Sequence, residues 1–120
     1  MTTEVGMQLI TGPELHEIGV KETIRRVIER VGDGPAYVTF DIDFVDPAYA
    51  PATGTPEVGG FTSAQCLQLV RGLAGLNLIG FDLVEVMPPY DPQGGVTCLL
   101  AANLVYEFIS LIALSRRSKA

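Results

Sequence analysis

The chain reads as an α/β protein: a parallel sheet between two layers of helix, αβα, with elements in the order βαβαβα. Three observations predict this. Short apolar runs at Met7–Thr11, Ala36–Ile42 and Leu76–Val86 alternate with longer segments of helical period. Glycine and proline clusters separate the two kinds of segment. Parallel strands need a long crossover between them, and each intervening helical segment supplies one. At 120 residues the chain is a single domain, 1–120.

The run Met7-Gln8-Leu9-Ile10-Thr11 is the first expected strand, ended by Gly12-Pro13. From Ile18 to Val31, Val20, Ile24, Val27, Ile28 and Val31 fall at helical spacing, with Arg25, Arg26 and Arg30 on the solvated side. Gly32-Asp33-Gly34-Pro35 stops that helix, because glycine suits the left-handed cap and proline forbids continuation. The second strand is Ala36 to Ile42. Asp46 to Gly60 holds three prolines and three glycines in fifteen residues, which makes it a loop. Thr62-Ser63 opens a helix over Ser63 to Leu73 whose apolar face is Cys66, Leu67, Leu69, Val70 and Leu73. Leu76 to Val86 is the third strand, and a helix from Val96 to about Ser115 follows Gly94-Gly95. The tail Ser115–Ala120 is polar and basic, suited to a helix C-terminus and to solubility.

Composition excludes some functions. The net charge of −6 argues against a nucleic-acid partner, since phosphate contacts need a cationic face. The apolar run Val96 to Leu114 is interrupted by Asn103 and Glu107, so it reads as a buried helix and no membrane partner is expected. Cys66 and Cys98 lie far apart outside any metal-binding spacing, and both read as buried free thiols. With no export-like N-terminal segment, the expected compartment is cytoplasmic. A hydrophobic share of 48% points to faces that a partner covers.

Chemistry concentrates at Asp41-Ile42-Asp43. Side chains on a strand alternate, so the two carboxylates are expected on one face at its carboxyl end, where they repel unless a divalent cation lies between them. The alternative is a polar turn. The long Asp46–Gly60 loop follows directly, and stiff long loops commonly serve ligand sites. Glu85 stands among Leu83, Val84, Val86 and Met87 at the end of the third strand. A carboxylate in so apolar a run calls for a cation, and a planar guanidinium can pair both of its oxygens; an internal arginine is the other candidate. Ligands of parallel sheets gather at strand carboxyl ends, where both acid groups fall. Asp46 reads as a loop-structuring side chain, Asp82 as a structural acid on the strand face opposite Glu85, and Asp91 as the holder of the turn before the last helix. His16, the only histidine, reads as a solvated loop or helix entry.

The run Asp41-Ile42-Asp43-Phe44-Val45-Asp46-Pro47, then Ala50-Pro51-Ala52-Thr53-Gly54-Thr55-Pro56-Glu57 with Gly59-Gly60, resembles the ureohydrolase family of arginases and agmatinases. So does Val84-Glu85-Val86-Met87-Pro88-Pro89-Tyr90-Asp91, in the agmatinase manner. Ala52 stands where agmatinases often show glycine and arginases alanine. The resemblance implies a hydrolase with two manganese ions (Mn2+) that removes urea from a small guanidino substrate. It assigns metal binding to Asp41, which bridges the ions, and to Asp43, which holds one of them. Glu85 would bind the substrate guanidinium, and Thr55, at a turn, would line the substrate pocket. A hydroxide between the ions would attack the guanidinium carbon. Agmatine, giving putrescine and urea, is the first expected substrate, with guanidinobutyrate close behind.

The family's Gly-Gly-Asp-His and Asp-Ala-His-x-Asp segments do not occur in this sequence, and nothing around His16 matches them. The chain therefore resembles the C-terminal half of a ureohydrolase, expected to hold at most one Mn2+ weakly alone. Two expectations follow from the resemblance. In one, the chain is a piece of an agmatinase-like enzyme that gains activity with a complementing N-terminal half. In the other, it is a non-catalytic interaction module. Either form leaves open surfaces and predicts a homo-oligomer or a partner.

Overall fold

The computed structural model describes residues 4–119. Five main elements follow one another: α1 (Gly12–Val31), β1 (Pro35–Asp41), α2 (Ser63–Gly72), β2 (Asn77–Val84) and α3 (Val96–Ser118). β1 and β2 pair in parallel, with α2 as the crossover, so the α/β class and the parallel sheet are as the sequence predicts. The register runs from Pro35 opposite Asn77 to Asp41 opposite Val84, with an irregularity after Ala36.

The expected first strand at Met7–Thr11 does not form, and among the described residues the sheet has two strands, in the order αβαβα. The segment lies along α1 instead: Gln8 and Ile10 line a shared depression with Val27 and Val31, and Arg30 Nη2 donates to Gly6 O at 2.7 Å. A short apolar run gives an extended chain, but only continuous pairing makes it a strand, and here Gln8 alone makes a bridge while the run packs along the helix.

α1 begins earlier than its apolar period, because Thr11 caps it by accepting from Glu14 N at 3.3 Å, with Pro13 in the first turn. Gly19, at φ 80° and ψ 166°, breaks its axis and separates the segment Gly12–Ile18 from the rest. In α2, Thr62 and Gln65 form a reciprocal capping box. α3 packs on β2, α2 on α3, and α1 on α2.

The core lies between the sheet and α3, where Phe108 stacks on Phe81 at 4.9 Å and meets Phe40 edge-on at 6.5 Å. Leu78, Val70, Cys66 and Leu104 complete it, all buried. The other sheet face carries Tyr37 and Ile79, each 60% exposed, so the described residues cover the sheet from one side only. The expected buried helix is half right. Leu100, Leu104, Phe108 and Leu111 of α3 are buried, but Leu99, Tyr106 and Ile109 on its outward face are exposed, because only one flank of the helix meets the sheet. Both cysteines are free. Burial pushes the Cys66 thiol up to about 12, while Cys98 is only half-buried and faces Asp91.

Candidate functional site

The site begins where β1 stops. The strand ends at Asp41, and Ile42–Phe44 wind into a single 3-10 turn. Asp41 and Asp43 therefore do not share a strand face, as simple alternation predicts. They meet because the Asp41 carboxylate accepts from Asp43 N at 3.0 Å, closing the turn with its own side chain. Ile42, fully buried, anchors the turn from below.

The loop from Asp46 to Gly60 folds back over this turn. Asp46 N donates to Phe61 O at 2.9 Å, and Phe61 N donates to Phe44 O at 3.1 Å. The Asp46 carboxylate accepts from Ala48 N, Gly59 N and Gly60 N at 2.9 to 3.2 Å, which is the loop-structuring part the sequence gives it. At Gly60 a Cβ would lie 2.5 Å from Asp46 N, so only glycine allows this closure. In the middle of the loop Thr55 Oγ1 donates to Asp43 Oδ2 at 3.3 Å. Ala52 N donates to Thr97 Oγ1 of α3 at 3.1 Å, and Met87 N donates to Ala52 O at 2.9 Å.

Glu85 arrives from β2. Asp41 pairs with Val84 across the sheet, so the next residue of β2 leaves the ladder beside Asp41. Glu85 takes a left-handed backbone, φ 65°, and its side chain is exposed at the rim rather than buried in the apolar run around it. These neighbours act on the Asp43 carboxyl. Burial and then the Asp41 charge push it above the usual carboxylate range, the Glu85 charge adds to this, and the Thr55 hydroxyl opposes it. Asp41, Asp43, Thr55 and Glu85 thus come together at the carboxyl ends of the two strands.

Asp82 and Asp91 hold local structure. Asp82 accepts from Thr39 Oγ1 at 2.5 Å and raises the Tyr37 hydroxyl by a hydrogen bond, on the uncovered sheet face. Asp91 accepts from Thr97 N at 3.1 Å and Cys98 N at 2.8 Å and so caps α3. His16 stands in the first helical segment, as expected of a helix entry, but it also reaches the loop: its Nε2 lies 2.9 Å from Gly59 O. No local spacing signals this contact, which spans 43 positions.

Asp41 and Asp43 are the donors a hard divalent cation could use, since two carboxylates in contact have lone pairs in excess and charge to be offset. They fit one ion in part. Among the described residues no group of three or more His, Cys, Asp and Glu side chains is arranged to hold a metal ion.

Comparison with known proteins places the chain in a family. The model of the arginase family matches residues 1–110. The chain is 50% identical to guanidinopropionase of Pseudomonas aeruginosa over 117 residues, 98% of this chain and 36% of that protein. It is 49% identical to guanidinobutyrase of the same organism, over 89% of this chain and 33% of that one. Its fold superposes on the crystal structure of a hypothetical agmatinase from Burkholderia thailandensis with a TM-score of 0.88 and 46% identity, covering 97% of this chain and 36% of that chain. The chain spans about a third of the length of the curated relatives it matches. With its motif residues gathered at one end of a parallel sheet, the chain belongs to the arginase family.

Proposed function

We propose that this chain supplies part of a manganese-dependent, agmatinase-like active site that hydrolyses a linear guanidino compound to urea and an amine. The observation that carries the reading is the meeting of Asp41, Asp43 and Glu85, brought from the end of β1, the 3-10 turn and the end of β2. Asp41 and Asp43 hold Mn2+, which when bound offsets their repulsion and lowers the pKa of nearby water. Glu85 pairs with the substrate guanidinium through two charge-assisted hydrogen bonds and turns its central carbon toward the paired acids. Thr55, fixed on Asp43, lines the pocket and keeps that carboxylate oriented. In the reaction the oxygen of water bonds to the guanidinium carbon. The bond to the chain nitrogen breaks, and that nitrogen takes up both protons of the water and leaves as an ammonium group beside urea.

Two carboxylates offer at most four oxygens, too few for a two-ion site. The remaining ligands therefore come from protein outside these 120 residues. Agmatine is the substrate of first choice. A guanidino acid is the second reading, favoured by the names of the two Pseudomonas aeruginosa relatives.

The test is urea release from agmatine, 3-guanidinopropionate and 4-guanidinobutyrate with Mn2+, with and without a polypeptide carrying the Gly-Gly-Asp-His and Asp-Ala-His-x-Asp segments. Turnover only in the mixture, lost in Glu85→Gln while Mn2+ stays bound, supports the proposal. Turnover by the chain alone, or unchanged turnover in Glu85→Gln, overturns it.

A further inference from the structure

We infer that His16 is a positioning residue of the acid site: it seats the far end of the Asp46–Gly60 loop and so fixes Thr55 against Asp43. The inference rests on the reading of Asp43 given above, and its argument is geometric. The break at Gly19 frees the segment Gly12–Ile18 from the axis of α1, and Leu15, 7% exposed, pins that segment to the core. One residue on, His16 meets the loop at two points. A carbonyl oxygen only accepts, so His16 Nε2 carries a hydrogen and donates to Gly59 O at 2.9 Å. Its ring stacks on Phe61 at 4.2 Å and 16°, and Phe61 stacks on Phe44 at 4.4 Å and 16°.

Phe44 closes the 3-10 turn that carries Asp43. The imidazole is thus the outer member of a three-ring stack ending at the turn, and it holds the carbonyl of Gly59, whose N–H is already bound by Asp46. His16 and Asp43 also line one cleft of about 590 Å³ with Glu57 and Gly59. Among the described residues, strand-like backbone pairing ties the loop only at its base, where Val45 bridges Phe61. Its seat depends on such side-chain ties.

The test follows amide hydrogen exchange along the chain, and Mn2+ uptake by paramagnetic titration, in wild type, His16→Phe and His16→Gln. His16→Phe keeps a ring to stack and removes the donor; His16→Gln restores an N–H donor without the ring. Expected is exchange at Gly59 and Gly60 faster by roughly tenfold in His16→Phe, the worth of one hydrogen bond, with at least partial recovery in His16→Gln. Mn2+ uptake should weaken and recover in the same order, while the amides of α3 stay protected. Loop exchange unchanged in His16→Phe overturns the proposal. So does equal acceleration in both variants, or acceleration that spreads to α3. A wild type that takes up no Mn2+ overturns the metal reading of Asp41 and Asp43 instead, and the exchange data still decide the part played by His16.

Discussion

Asp43→Asn removes one charge from the acid site and nearly preserves its shape, and the structure predicts that this stabilises the metal-free protein. The Asp43 carboxyl sits above the usual carboxylate range through burial first and the Asp41 charge second. A carboxyl with a raised folded pKa gives a native state that binds more protons than the unfolded chain between the two values, so stability falls as pH rises through that window. Above it the full penalty stands, and at pH 7 the charge on Asp43 destabilises the fold. The repulsion between two like charges in contact is cut by solvent screening at a half-buried site to on the order of 1 kcal/mol. Asn keeps an oxygen for the Thr55 hydroxyl, so that hydrogen bond survives. The assay is thermal unfolding followed by circular dichroism in a chelator. At pH 7 the variant should melt about 4 °C above wild type. The gap should close near pH 3.5, below the ordinary carboxylate pKa of about 4. Added Mn2+ should raise the melting temperature of wild type and not of the variant, since only a bound ion stabilises by mass action. A variant less stable than wild type at pH 7 without metal, or equal stabilisation of both by Mn2+, would refute the reasoning.

Gly60→Ala puts a methyl group 2.5 Å from Asp46 N and 2.9 Å from Phe44 O; it should destabilise the fold by about 2 kcal/mol in urea titrations and weaken Mn2+ uptake through the displaced loop. At Asp91, burial pushes the carboxyl up, but hydrogen bonds from Cys98 and Thr97 outweigh it and hold the carboxyl below the usual range. A depressed folded pKa gives stability that is present above the unfolded value and is lost as pH falls through the folded one, so Asp91→Asn should flatten the acid limb of a pH series of denaturant midpoints. Thr53 is 3% exposed, and its Oγ1 finds no hydrogen-bond partner among the described residues; Thr53→Val should gain about 1 kcal/mol in the same titrations, and a loss would show that the hydroxyl is satisfied in solution.

What the sequence makes legible is what local chemistry decides. The helix start at Thr62-Ser63, the glycine stop at Gly32 and the proline-rich loop all depend on neighbours a few positions apart, and all form where they are expected. Met7–Thr11 fails as a strand because a short apolar run specifies an extended chain but not the continuous pairing that makes it a strand. Asp43 leaves the strand because the Asp41 side chain competes for its N–H, a choice that period-two reasoning does not contain. Glu85 is exposed because the left-handed turn at its own backbone ends β2 before its apolar neighbours can enclose it. His16 reaches Gly59 only through the break at Gly19 and the fold of the loop, both beyond any local pattern.

The acids of this chain also supply their own comparison. Asp46 is satisfied by three backbone N–H groups, Asp91 by two, and Asp82 by the Thr39 hydroxyl, which is how a structural carboxylate is stabilised. Asp43 has one hydroxyl donor, lies beside Asp41, and feels Glu85 as well. Among the described residues the Glu85 side chain forms no ion pair or hydrogen bond. A folding chain gains nothing from setting the Asp43 carboxylate against Asp41 and near the Glu85 charge, and the left-handed backbone of Glu85 adds strain where an ordinary strand end would have none. The arrangement is explained if positive charge completes it, one part held between Asp41 and Asp43 and another brought to Glu85 by the substrate. On that account the site is least stable when empty, so a charge-removing substitution should divide cleanly by position. At Asp46 or Asp91 it should weaken the fold, and at Asp43 it should strengthen the fold while abolishing the response to Mn2+.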